Sequence, residues 1–356
     1  MNGPEPVVSF LVPVYNAAAT LERSVRSALA QRDAPELEVV AVDDGSTDRS
    51  GEVLERLARR DSRLRVEHPG RVGLVPALAL GQALCRGEFI ARLDADDIAH
   101  PARLSVQLGL LARWERLGLV GAQVRYFPAR DTGPGARHYE RWLNGLLEGC
   151  LPDSPEAGIR AAAERIEREM FIECPLAHPA FLMRRRALEE AGGYREFQGL
   201  PEDYDLIFRI VEAGWKVAGA GRVLHAWREH PARASRNDPR YSEESFIRLK
   251  LHHLLKMHLE DGKRPVSVCG AGPVGKAWLK ALLSDGVEVR YLIEVNPRKI
   301  GKRIHGVPVV RAAELPGPSG SGLILGAVGQ RGGRARVRAD LDPLGFVEGR
   351  DYILVS

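Results

Sequence analysis

The chain has 356 residues, a formal net charge of +4 and four cysteines. So small a charge argues against nucleic acid or a bulk anionic surface as partner, and the length suits two domains, or one large one with an appendage. No apolar run reaches the roughly 20 residues that cross a bilayer. The start, Met1-Asn-Gly-Pro-Glu-Pro, lacks the basic-then-apolar order of a signal peptide. Cys85, Cys150, Cys174 and Cys269 show no paired spacing, which points to reduced thiols in a cytoplasmic protein, peripheral contact with the inner face of the membrane being left open.

Val7 to Val12 is a compact apolar run and reads as a buried strand. Thr20 is placed to cap a helix from Leu21 to about Gln31. A second strand, Leu37 to Val42, runs into Asp43-Asp44-Gly45-Ser46-Thr47-Asp48, where Gly45 allows a tight turn and Ser46 or Thr47 can cap the next helix. Leu64 to Val66 reads as a strand, Gly73 to Leu84 as a helix and Phe89 to Leu93 as a fourth strand. Strands alternating with helices at this spacing predict an α/β fold, a mostly parallel sheet covered on both faces. Ligands of such sheets bind beyond the carboxyl ends of the strands.

Three carboxylates, Asp94, Asp96 and Asp97, follow the fourth strand at once. Alternation lets Asp94 and Asp96 point the same way. Carboxylates so close repel one another unless a cation sits among them, and hard oxygen ligands suit Mg²⁺ or Mn²⁺ arriving with a substrate's phosphates. A solvated acidic turn before the helix that Pro101 opens is the plainer alternative.

Further on, Leu104 to Leu117 is helical in pattern and Leu119 to Phe127 reads as a strand. Two helices are expected between His138 and Glu169, interrupted at Pro152-Asp-Ser-Pro155. Pro201-Glu202-Asp203-Tyr204-Asp205 opens a helix with an apolar face of Leu206, Ile207, Ile210 and Val211, closed by Gly214. Tyr241 to His258 reads as a helix and 260–265 as a linker. Val266 to Cys269 then runs into Gly270-Ala-Gly272-Pro-Val-Gly275, a helix to Leu283 and a strand Glu288 to Ile293 ending at Glu294. That order is a Rossmann-type unit, whose glycines let backbone approach a diphosphate at a helix N-terminus. The expected domains are 1–260 and 261–356, with Gly270, Gly272, Gly275 and Glu294 the candidate nucleotide contacts of the second. The basic run Arg331 to Arg338 is expected to be a solvated helix face.

Pro13-Val14-Tyr15-Asn16-Ala17, Asp43 to Asp48, and Leu93-Asp94-Ala95-Asp96-Asp97 with Pro101 and Arg103-Leu104 resemble the GT-A-fold family-2 glycosyltransferases in type, order and spacing. The resemblance implies a GT-A mixed sheet with helices on both faces, a nucleotide-sugar donor (usually a UDP-sugar), a hydroxyl acceptor on a glycan or lipid-linked sugar, a divalent metal and inversion at the anomeric carbon. By the same resemblance Pro13 and Tyr15 pack on the base and ribose, and Asp44 accepts a hydrogen bond from the base. Asp43 shares that loop, the other reading of both acids being a helix-capping turn. Asp94 faces the ribose or sugar and Asp96 binds the metal, while Asp97 orients the sugar or is simply solvated. His178, in Pro175-Leu-Ala-His178-Pro179, is a candidate donor contact or a hydrogen-bonded core histidine.

Asp203 matches the family's catalytic base, beside Glu202, since the acceptor hydroxyl must lose its proton as it attacks. A helix N-terminus lowers a carboxyl pKa and nearby phosphates and Asp96 raise it; the sequence leaves that contest open. In Leu224-His225-Ala-Trp227-Arg228-Glu229-His230, His230 fits a metal-binding histidine better than His225, and Arg228 and Arg233 are candidates to neutralise the leaving phosphate. No Gln-x-x-Arg-Trp motif of processive synthases is present, so one sugar per encounter is expected. The segment 296–309 resembles the small N-terminal domain of bacterial sugar acyltransferases, which binds nucleotide sugars or docks, and through which an oligomer can form. A second class of function stays beside the first: a bifunctional or degenerate protein that binds a nucleotide sugar or NAD through its C-terminal domain.

Overall fold

The computed structural model describes residues 5–151, 153–259 and 264–356. Residues 260–263 of the expected linker, the expected boundary with them, Met1 to Pro4 and Pro152 lie outside the described residues. The chain divides into two compact units, Met1–Ile166 with Pro175–Asp238, and Glu167–Cys174 with Pro239–Ser356.

The first unit is built on eight strands: β1 (Val8–Val14), β2 (Leu37–Asp43), β3 (Leu64–Glu67), β4 (Phe89–Arg92), β5 (Ile98–Ala99), β6 (Leu117–Phe127), β7 (Leu182–Arg184) and β8 (Lys216–Arg228). They lie in the order β3-β2-β1-β4-β7-β6-β8-β5. β1 to β4 are parallel, β7 runs antiparallel between β4 and β6, and β8 returns parallel to β6. Every residue of β1 and β2 is buried, as mostly apolar strands covered on both faces are, and two polar residues among them, Ser9 and Glu38, bond each other at 2.7 Å. The covering helices carry apolar stripes at helical spacing. Leu21, Val25 and Ala28 of helix Leu21–Leu29 face inward, each larger side chain contributing about 1.5–3 kcal/mol by burial.

Three strands of this unit, β5, β7 and β8, escaped the sequence pattern. β8 carries Gly219 and Gly221, and a Cβ on Gly221 would lie 2.5 Å from the Leu147 carbonyl oxygen. Those glycines admit a neighbouring segment rather than end the strand. β5 is two residues long, too short for any periodicity. Thr20 stands at the start of its helix without capping it; its hydroxyl donates to the carbonyls of Ala17 and Ala95, both at 3.2 Å. Neither Ser46 nor Thr47 caps: helix Ser50–Ala58 starts later, and Ser46 Oγ accepts from Asn16 N–H at 3.0 Å.

The second unit holds β9 (Val266–Cys269), β10 (Val289–Ile293), β11 (Arg303–Ile304), β12 (Val307–Val310), β13 (Leu323–Gly326) and β14 (Tyr352–Leu354), ordered β11-β12-β10-β9-β13-β14. All neighbours are parallel except β11 and β12. Helix Glu243–His258 belongs to this unit and is capped by Ser242, which accepts from Ser245 N–H. From that helix buried Lys250 donates to the carbonyls of Ile172 (3.1 Å) and Val355 (2.9 Å), and burial pulls its pKa down to about 8. The basic run is not a bare solvated face. Arg334 pairs with Glu169 at 3.2 Å, Arg336 with Asp340 at 3.0 Å and Arg338 with Glu348 at 2.8 Å.

Candidate active site

The loops after β1 and β2 are laced together. Asn16, with φ +49°, accepts through Oδ1 from the N–H groups of Thr47 (2.8 Å) and Asp48 (3.3 Å). Pro13 is a buried residue of β1, paired with Val42, so the sheet takes its ring rather than the open face. Asp43 is also turned inward: Oδ1 accepts from Ser46 N–H at 3.0 Å and Oδ2 lies 3.2 Å from His68 Nδ1. It holds the turn.

Asp44 Oδ1 accepts from the N–H groups of Val72 (2.6 Å) and Gly73 (2.8 Å), and Oδ2 from Arg71 Nη1. The Arg71 guanidinium lies 3.8 Å above the ring of Tyr15, which is 48 % exposed. A flat, hydrogen-bonding group therefore already stacks on Tyr15 and bonds Asp44. Arg71 has no partner motif beside it in the sequence, and nothing there singles it out.

Beyond β4 the three carboxylates part company. Asp94 and Asp96 keep about a third of their side-chain surface open, whereas Asp97 is 1 % exposed. Ser24 Oγ donates to Asp94 O at 2.7 Å, which with the Thr20 contact fixes the loop backbone. Asp97 Oδ2 lies 2.9 Å from His225 Nε2, and Oδ1 accepts from Arg228 N–H at 2.6 Å. Asp97 is thus neither solvated nor free to orient a sugar; it ties β8 to the loop. Burial and then Asp94 push its carboxyl pKa well up, and burial holds His225 well below the imidazole range.

Asp96 Oδ2 and His230 Nε2 stand 3.2 Å apart, so the two residues assigned to a metal meet. Burial first, then Asp97 and Asp94, push Asp96 up to about 7, and His230 works against them. Among the described residues no three His, Cys, Asp or Glu side chains form a ligating group. A carboxylate and an imidazole with room for phosphate oxygens fit a hard divalent cation that keeps most of its shell from water and substrate.

Arg103 carries the cluster from behind. It is fully buried, and donates through Nη2 to the carbonyls of Arg92 and Phe181 (both 2.9 Å) and through Nη1 to Pro179 (3.0 Å). Nε bonds Gln107 Oε1 at 3.0 Å, whose amide serves the carbonyls of Val120, Gly121 and Ala180. Burial drags Arg103 down to about 9. The sequence held one signal for it: a cation at the first residue of helix Arg103–Arg113 opposes the helix dipole and needs another reason to be there.

Helix Glu202–Glu212 starts on its acidic turn. Glu202 is 3 % exposed, with an oxygen 3.9 Å from His178 Nδ1. His178 is itself buried, its Nε2 2.8 Å from Tyr194 Oη, and burial keeps it neutral, so it is a core histidine and not an open donor contact. Asp205 pairs with Arg209 at 2.7 Å. Asp203 alone of the three acids keeps partial exposure. Burial and then Glu202 push its carboxyl up to about 7, outweighing the N–H groups of the helix start. The contest left open by the sequence therefore goes to burial and a neighbouring acid.

Arg228 is half-buried with its guanidinium 5.5 Å from the Phe127 ring. Arg233 is not left for a phosphate: it packs 4.3 Å over Trp227 and pairs with Glu229 at 3.2 Å. In the second unit a Cβ on Gly275 would lie 1.8 Å from Gly270 O, and one on Gly270 2.7 Å from Ala327 O, so both glycines serve the unit's own packing. Around Gly272 nothing lies within 4 Å. Glu294 is engaged by Lys299 Nζ (3.1 Å) and by the N–H groups of Ala271 (3.2 Å), Val295 (2.8 Å) and Asn296 (3.1 Å).

The mixed sheet with acids at its strand ends is a GT-A fold. The chain matches Glycosyl transferase family 2 over residues 9–192 and belongs to that family. It is 28 % identical over 246 residues to the putative glycosyltransferase EpsE of Bacillus subtilis, covering 68 % of this chain and 80 % of that one. To the uncharacterized glycosyltransferase EpsJ of the same organism it is 38 % identical over 116 residues, a third of each chain. The structure of S. aureus TarS residues 1–349 in complex with UDP-GlcNAc has the same fold, with a TM-score of 0.53 at 17 % identity over 70 % of this chain and 66 % of that one. Among the described residues no helix is long and apolar enough to cross a membrane.

Proposed function

We propose that the first unit is an inverting, metal-dependent glycosyltransferase that moves one sugar per encounter from a nucleotide-diphosphate donor, a UDP-sugar first among them, to a hydroxyl of a glycan or lipid-linked acceptor. The observation that carries the reading is the meeting of Asp96 and His230, 3.2 Å apart, at a strand end that also carries Asp94 and Asp97. Tyr15 and Asp44 take the base, with Arg71 exchanging its place on them or staying at the base's edge. Asp94 meets the ribose or sugar. Asp96 and His230 hold a divalent cation, which when bound offsets the charge of the leaving diphosphate, with Arg228 a further cation for that phosphate. Asp203 takes the acceptor proton at its carboxylate oxygen as that hydroxyl attacks, a task suited to a group poised near 7. Glu202, buried beside it, keeps that pKa high. Hydrolysis or transfer from a panel of nucleotide sugars, abolished by EDTA and restored by Mn²⁺, is the expected result. Turnover indifferent to EDTA contradicts the metal assignment.

The second unit is proposed as a structural or docking module within the same protein. Its acid and two of its three loop glycines are used by its own packing.

A further inference from the structure

Arg92 ends β4 and is 2 % exposed. Nη2 donates to Asp94 Oδ1 at 2.6 Å. Nε and Nη1 are buried with no hydrogen-bond partner among the described residues. Two idle donors on a buried cation are costly, and a single bond to Asp94 does not explain retaining them. The surroundings do. Asp94 and Asp97 come from the loop after β4, Glu202 and Asp203 from the first turn of helix Glu202–Glu212, and the Tyr194 hydroxyl from the loop before it. Burial opposes the charge of Arg92, and Asp94, Tyr194 and Glu202 outweigh it. Burial holds His178 and His225 down, and the Arg92 charge adds to it, behind Arg103 in the case of His225.

We propose that Arg92 is a positioning residue of the transfer site: one fixed internal cation that aligns Asp94 on the donor side and sets the Glu202–Asp203 pair on the acceptor side. The proposal rests on Asp203 being the base. Arg92 does not touch substrate; it acts through the acids it faces. A guanidinium suits this because it stays charged when buried, bonds Asp94 in a fixed plane and still has N–H groups without a partner among the described residues.

The groups that face Asp203 are Glu202 on its own helix, Arg92 on β4 and Tyr194 on the preceding loop. Carboxyl carbon NMR of the full chain, labelled at aspartate and assigned by the signal lost in Asp203→Asn, reads the Asp203 titration without any donor. The wild type is expected to titrate near 7. Arg92→Met is expected to move that midpoint upward, since a nearby cation is removed. Arg92→Lys keeps the charge and leaves the midpoint near the wild-type value, while its different geometry lowers turnover of UDP-GlcNAc. Should Arg92→Met not fold, Arg92→Gln, neutral and able to bond Asp94, carries the same expectation. An unmoved midpoint in the folded neutral variant overturns the proposal and leaves Arg92 a core cation. Undiminished turnover in Asp203→Asn overturns the base assignment instead, whatever Arg92 does to the titration.

Discussion

Each unit places an acid beyond the end of a parallel strand, and the two acids are treated in opposite ways. Glu294 after β10 has four donors around it; burial works against its charge, and the bonds from Asn296, Lys299 and Val295 outweigh that, holding it below the usual range. Asp96 after β4 is pushed up to about 7 by burial and then by Asp97 and Asp94, with a single imidazole 3.2 Å away. The first acid is finished by its own chain; the second is the one proposed to take a cation. Strained ionisation in an open cluster marks a place kept for a ligand, and full satisfaction marks a turn that holds itself together.

Replacing Asp203 by Asn sharpens that contrast most. Asn keeps the shape and cannot accept the proton, so turnover should fall on the order of 10² to 10⁴ with nucleotide affinity moving far less. In the wild type the carboxylate is the active form, so kcat should rise with pH through about 7 and level off above it; a rate that falls across that window contradicts the base role. Next is Arg103→Met, which strands the carbonyls it serves and should cost about 3 kcal/mol in a denaturant titration. A loss below 1 kcal/mol, on the order expected of a surface residue, would deny Arg103 its part in supporting β4.

Glu294→Gln probes the satisfied acid and should cost about 1 kcal/mol. Its folded pKa is depressed, so its contribution is present above the unfolded value near 4.5 and fades as pH falls through the lower, folded one. The wild type and this variant should therefore converge in stability on acidification, which thermal melts at falling pH check. Smallest is Gly272→Ala: φ is −81° and nothing lies within 4 Å, so stability should shift by less than about 0.5 kcal/mol.

The parallel half of the first sheet was legible because covered strands are predominantly apolar, and β1 and β2 are so apart from Ser9, Glu38 and the closing Asp43, while β4 is a short apolar stretch ending in Arg92. β8 was not, because its glycines answer to the Leu147 backbone, a contact remote in sequence. The motif residues were legible as a set, yet their division of labour was not. Nothing local separates Asp96, which meets His230, from Asp97, which is buried against His225 and a backbone N–H. Pro13 was expected at the donor, Asp43 at the donor or in a capping turn and His178 at the donor or in the core, and tertiary packing buries all three. Arg71, Arg92 and Arg103 went without a role because an arginine's reach shows its partners only once the chain has folded.

The central claim is that Asp96 and His230 complete a cation site only with a nucleotide diphosphate. Calorimetric titration of UDP into the full chain, in Mn²⁺ and again in EDTA, tests it on the wild type, Asp96→Ala and Asp97→Asn. Binding that needs Mn²⁺ in the wild type, is lost in Asp96→Ala and survives in Asp97→Asn is the predicted result. Equal UDP affinity in Mn²⁺ and EDTA, or in wild type and Asp96→Ala, would contradict it.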